Sequence, residues 1–264
     1  MALIDAHAHL RTGKLAGTLT PASVEIALRL LRDDMDRAEI TTSLVVTLPE
    51  DVPALAQEAA RAPGKLYSLL WFDSRQPERS VQELRLLATR FPSILIGVKT
   101  VLPYLYQNPL QQEFFPLYTF CQERRLPIQF HFGGNPRMEA LCHPSLFAAL
   151  ARTFPQLLIV CLHAGGGWAR EIPALLATYP NVYLEVEGLQ LHEAQLHLPP
   201  QVVPFLLQQC GSAKLMFGSD RIGQEEKFFR RVQYIQSLPL SYRDDLCRRT
   251  ATRVYRLAEN EARL

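Results

Sequence analysis

Too little cysteine is present for cross-links to organise this chain. Cys121, Cys142, Cys161, Cys210 and Cys247 are spread over 264 residues, with no Cys-x-x-Cys pair. An odd number at wide spacing argues against a disulfide framework and for reduced thiols in a cytoplasmic setting. No apolar run reaches the roughly 18 residues of a membrane helix. The start "MALIDAHAHL" has no basic stretch ahead of an apolar one, so neither a leader nor a membrane partner is expected. Neither sign of charge dominates: the net charge is +2 and arginines are scattered. That gives no reason to expect nucleic acid or an acidic surface as partner. No Gly/Ser-rich linker, low-complexity tract or break in composition divides the sequence, so one domain over residues 1–264 is the economical reading. The first apolar run is followed by no glycine fingerprint, which weakens a dinucleotide-binding open sheet.

What is present is apolar residues, 48% of the chain, enough for a sizeable core. They gather in eight short runs. These are "ALIDAHAHL", "TTSLVVTLP", "LYSLLWFD", "ILIGVKTVLP", "PIQFHFGG", "LLIVCLHAGGG", "VYLEVEG" and "KLMFGSD". Most are continuously hydrophobic, as strands covered on both faces are. Helical stripes lie between them. Val24, Leu28, Leu31, Met35 and Ala38 form one, with Thr20 placed to cap it and Pro21 in its first turn. Val81, Leu84, Ala88 and Phe91 form another, with Ser80 as its expected cap. Eight alternating units in about 250 residues fit an α/β fold of the (β/α)8 TIM-barrel type, here distorted and closed by C-terminal helices. An open doubly wound sheet uses the same alternation and is the competing architecture.

Titratable residues fall at the C-terminal ends of these runs: His7 and His9, Asp73, Lys99, His131, His163, Glu187 and Asp220. A barrel gathers those ends at one mouth. Side chains two apart on a strand share a face, so His7 and His9 lean the same way. Neutral imidazole is a good ligand for zinc and its neighbours. One His-x-His is weak by itself. Two further histidines and an aspartate at matching ends make the set specific. By alternation His131 shares a face with Gln129, His163 with Cys161, and Asp220 with Gly218 and Met216.

This set resembles the amidohydrolase superfamily, in particular its amidohydrolase 2 branch of metal-dependent hydrolases and non-oxidative decarboxylases. The resemblance runs from residue 5 to about 220. It implies that His7, His9, His131 and Asp220 are metal ligands and that His163 is a neighbouring acid/base. The metal implied is one divalent ion, zinc first, with manganese or iron also suited to the donors. Lys99 matches a lysine that is carboxylated in two-metal relatives; a second ion is expected only in that form. As a plain ammonium, Lys99 would bind a substrate anion. The sequence departs from decarboxylase-like relatives at Arg221-Ile222 and at Thr250.

The leading expectation is a hydrolase of a small lactone, amide or ester. The ion would lower the pKa of water from ~15.7 towards ~7 and polarise a carbonyl, with Asp220 as proton acceptor. Gly165-Gly166-Gly167 is either an anion-binding nest or a tight turn. The runner-up is a decarboxylase of an aromatic or unsaturated acid, with Arg11 or Arg221 gripping the carboxylate and Trp71 among its aromatic walls. A non-catalytic metal-binding scaffold is the third reading. The expected partner is a small-molecule substrate, and a homodimer is left open. His192 and His197 read as surface residues of a connection over the mouth.

Overall fold

A computed structural model describes residues 2–10, 21–61, 65–187, 202–221 and 225–258. Each of the eight apolar runs contains a strand. They are β1 (Leu3–His9), β2 (Ile40–Thr47), β3 (Lys65–Trp71), β4 (Leu95–Thr100), β5 (Ile128–Phe130), β6 (Ile159–Cys161), β7 (Val182–Val186) and β8 (Leu215–Phe217). All pair in parallel in the order of the sequence. A parallel bridge between Ala8 and Arg221 joins the last strand region to the first. His9 N–H donates to Arg221 O at 3.0 Å and Asp220 N–H to His7 O at 2.8 Å. The result is a nearly closed (β/α)8 barrel, and both seam bonds involve site residues.

Two apolar layers hold it. The outer one lies between strands and helices and includes Val24, Leu28, Leu31 and Met35 of the Pro21–Arg37 helix. The inner one fills the barrel with Ile4, Ala6, Leu44, Tyr67, Leu69, Ile96, Val160, Leu162 and Met216. The C-terminal segment adds Ala251, Val254, Tyr255 and Leu257 to that inner layer. Gln129, fully buried, spans it by donating to Ala6 O and to the Tyr255 hydroxyl. The barrel is therefore plugged, and only its mouth is left for chemistry.

Two local expectations change. Ser80 lies inside the Pro77–Arg90 helix rather than capping it; its hydroxyl donates to Asp73 O at 3.0 Å. Pro77 and its preset φ start that helix earlier. Cys161 packs in the outer layer, while Val160 and Leu162 face inward. Strand alternation alone would thus aim His163 outward, yet the structure brings it to the mouth. Thr20, the other expected cap, lies outside the described residues. No described helix is long and apolar enough to cross a membrane.

Candidate metal centre

β1 supplies the first pair of donors. A register shift between Asp5 and Ala8 adjusts the strand end, and His7 Nε2 and His9 Nε2 stand 3.1 Å apart. Asp220 comes from the residues after β8. Its Oδ1 lies 3.3 Å from His9 Nε2 and 3.8 Å from His7 Nε2. Tetrahedral donors about 2.1 Å from a zinc ion would be roughly 3.4 Å from one another. The three separations bracket that value. The donor set thus fits a divalent ion in size and in chemistry: two imidazoles and one carboxylate.

Backbone conformation makes this convergence. Asp220 and His163 have φ of +46° and +56°, and Ala164 follows at +54°. Non-glycine residues rarely adopt this region, at a cost of about 1–3 kcal/mol each. At His163 the left-handed turn reverses the outward direction set by β6. Its N–H donates to Glu185 Oε2 at 2.8 Å. Its ring Nε2 lies 3.0 Å from His131 Nδ1, and its Nδ1 contacts Glu187 Oε1. The Tyr104 ring covers His131, with centroids 4.6 Å apart.

Among the described residues, three clusters of donor atoms lie within metal-binding reach: His7–His9–Asp220, His7–His163–Glu185 and His163–Glu187–Asp220. His131 joins none of these triads; it sits against His163 at their edge. Lys99, in register with Trp71 on β3 and Gln129 on β5, is buried beside them. Its Nζ makes no hydrogen bond among the described residues.

Electrostatics favour ion binding. Burial pushes the pKa of His7 well down, and Lys99 lowers it further. Burial does the same to His131, reinforced by His163 and Lys99. Both imidazoles are therefore neutral at ordinary pH, with a lone pair to offer. Burial opposes ionisation of Asp220. The hydrogen bond to His9 and the electrostatic pull of the surrounding imidazoles outweigh it, holding that carboxyl well below the usual range. Burial lowers Lys99 to about 8 against the pull of Asp220, Glu185 and Glu187. Glu185 is pushed well up by burial and by Glu187.

Other expected residues are placed differently. Arg221, expected as a grip for substrate, is buried and turned away. Its Nε donates to Asp34 Oδ2 at 2.6 Å on the Pro21–Arg37 helix. Asp73 pairs with Arg75 at 2.8 Å, a hydrogen bond that lowers its pKa. Trp71, the half-buried last residue of β3, packs against the inner layer. The glycine turn does receive an anion, but an internal one. Gly167 N–H donates to both Glu139 oxygens at 3.2 and 3.1 Å, and Trp168 Nε1 donates to Glu139 O at 2.7 Å. That carboxylate locks the loop after β5 to the loop after β6. Arg11, His192 and His197 lie outside the described residues.

Sequence reasoning left out Glu185 and Arg231 and gave Glu187 no role. A signal was there for the carboxylates: "EVE" at the end of β7 repeats the i, i+2 spacing of "HAH" in β1. Arg231, on the Glu225–Ser237 helix, reaches Glu187 Oε2 at 2.6 Å and lies 3.9 Å from Asp220 Oδ2. Nothing in its helical stripe distinguishes it.

Comparison with known proteins agrees with this architecture. An amidohydrolase family model of the amidohydrolase 2 type matches residues 4–257. The chain belongs to that family of metal-dependent enzymes. No curated protein matches. Among solved structures, an uncharacterised TIM-barrel protein from Bordetella bronchiseptica is similar, with a TM-score of 0.75 at 18% identity, covering 98% of this chain and 100% of that one. A 4-oxalomesaconate hydratase from Rhodopseudomonas palustris follows at TM-score 0.70 and 14% identity, covering 99% and 98%. A 5-carboxyvanillate decarboxylase from Novosphingobium aromaticivorans, complexed with manganese and a nitrobenzoic acid, has TM-score 0.66 at 14% identity, covering 97% and 96%. At such identities the likeness is one of fold.

Proposed function

We propose that this protein is a metal-dependent hydrolase of a small lactone, amide or ester. His7, His9 and Asp220 would hold one divalent ion, with His131 completing the set; zinc suits these donors, as do manganese and iron. When bound, that ion supplies Lewis acidity and makes water more acidic. The protein's own groups supply the rest. Asp220 is kept ionised by His9 and its neighbours and is placed to accept a proton. His163, turned inward at the mouth beside His131, is the acid/base group of the site. The Tyr104 ring packs over His131, and Trp71 stands in register with Lys99 on the neighbouring strand.

One observation favours hydrolysis over decarboxylation. The mouth gathers three acidic side chains, Asp220, Glu185 and Glu187, of which Asp220 is held ionised. Of the two arginines expected to grip a substrate carboxylate, Arg221 is tied to Asp34, and Arg11 lies outside the described residues. A neutral carbonyl substrate suits that field better than an acid. Decarboxylation is the second reading, favoured by the buried Lys99 ammonium, unpartnered among the described residues, and by decarboxylases among proteins of this fold. The test is a screen of lactones, amides, esters and aromatic acids with zinc- or manganese-loaded protein in ¹⁸O-water. Incorporation of ¹⁸O into a carboxylate product supports the proposal. Release of CO₂ from an acid without ¹⁸O uptake overturns it in favour of the lyase.

A further inference from the structure

The two carboxylate oxygens of Glu187 serve different partners. Oε2 accepts from Arg231 Nη2 at 2.6 Å, while Oε1 contacts His163 Nδ1. Arg231 is itself fixed: it is buried, and its Nη1 donates to Ser219 O and to Asp220 O. An ionised carboxylate can only accept hydrogen bonds. In its neutral form His163 must therefore carry its one proton on Nδ1, leaving Nε2 bare. That bare nitrogen lies 3.0 Å from His131 Nδ1. For this contact to be a hydrogen bond, His131 must donate from Nδ1. Its own Nε2 is then the nitrogen with the lone pair.

We propose that Glu187, clamped by Arg231, is a positioning residue that dictates the tautomers of two imidazoles in series, His163 and then His131. The direction runs Arg231 to Glu187, His163 Nδ1–H to Glu187, and His131 Nδ1–H to His163 Nε2. Its consequence is that His131 presents an unprotonated Nε2 before any ion arrives. Hydrogen-bonded partners of this kind set which ring nitrogen of a histidine is available. The role assigned to His131 rests on the metal-dependent reading above; the tautomer order does not.

The decisive substitution is Glu187→Gln. Arg231 has only donors, so it would draw the amide oxygen of the new side chain. The amide NH₂ would then face His163 Nδ1 and need an acceptor there. His163 would move its proton to Nε2 and donate to His131 Nδ1, and His131 would carry its proton on Nε2. Size and shape barely change, so the fold is retained. Glu187→Asp keeps the carboxylate and serves as the conservative control.

The test is nitrogen NMR of ¹⁵N-histidine-labelled, metal-free protein, with ring signals assigned through His163→Gln and His131→Gln variants. Wild-type protein should show the protonated nitrogen at Nδ1 in both rings. Glu187→Gln should move it to Nε2 in both, and Glu187→Asp should leave it at Nδ1. Zinc titration gives a second readout: Glu187→Gln should weaken affinity by about 10–100-fold, with Glu187→Asp closer to wild type. A wild-type His163 protonated on Nε2, an unchanged tautomer pair in Glu187→Gln, or unchanged zinc affinity would each overturn the proposal. Absence of hydrolysis with the tautomers as expected would reject the reaction and leave this relay standing.

Discussion

Lys99 gives the sharpest stability prediction. It is fully buried on β4, its Nζ has no hydrogen-bond partner among the described residues, and its pKa falls from 10.5 to about 8. In the unfolded chain the amine holds its proton up to the ordinary value. The displacement is about 2.5 pH units, at about 1.4 kcal/mol each. Burying the ammonium therefore costs the folded state about 3 kcal/mol wherever both states are protonated, below about pH 8. As pH rises from about 8 to 10.5, the folded protein sheds this proton while the unfolded chain keeps it. The cost disappears over that window. Lys99→Met removes the charge and roughly keeps the volume. In metal-free protein at pH 7 the variant should be more stable than wild type by about 3 kcal/mol, and the gap should close towards pH 10.5. Urea unfolding at pH 7, 9 and 10.5 measures it. A variant that is less stable at pH 7, or a gap that does not change with pH, would refute the reasoning.

Two further outcomes follow from the packing. A Cβ at Gly218 would lie 2.5 Å from Glu185 Oε1 and 2.7 Å from His7 Cβ. Gly218→Ala should destabilise by about 1–3 kcal/mol through overpacking and displace His7, lowering zinc uptake; wild-type values of both would contradict this contact. The Arg221–Asp34 pair is mostly buried, at 7% and 13% side-chain exposure. Asp34→Ala should cost about 3–5 kcal/mol in urea unfolding by stranding the guanidinium, with zinc stoichiometry unchanged; a loss under about 1 kcal/mol would show that Arg221 is not held by this pair.

Much of this arrangement was legible before any coordinates. Parallel strands covered on both faces must be apolar along their whole length, so each of the eight runs betrayed its strand. Titratable residues at the tips of such runs have little reason to be there except a shared mouth. "HAH" and the aspartate of "FGSD" were therefore readable as a group, and the structure brings His7, His9 and Asp220 within 3.8 Å of one another. What stayed hidden depends on backbone turns and distant partners. His163 reaches the mouth through a left-handed residue, which no alternation rule foresees for a non-glycine. Arg221 follows Asp220 directly, yet its side chain leaves the mouth for Asp34 on a helix 187 positions earlier. Glu139 fills the glycine nest from a neighbouring loop. Glu185 and Arg231 are ordinary residues of a strand and a helix until the barrel closes around them.

The convergence of His7, His9 and Asp220 on a single ion is the point on which the chemistry turns. Crystals grown with zinc, measured at the zinc absorption edge, test it directly. One anomalous peak per chain is expected, about 2.1 Å from His7 Nε2, His9 Nε2 and an Asp220 oxygen. Zinc found only elsewhere, or absent from this mouth when supplied in excess, would contradict the account.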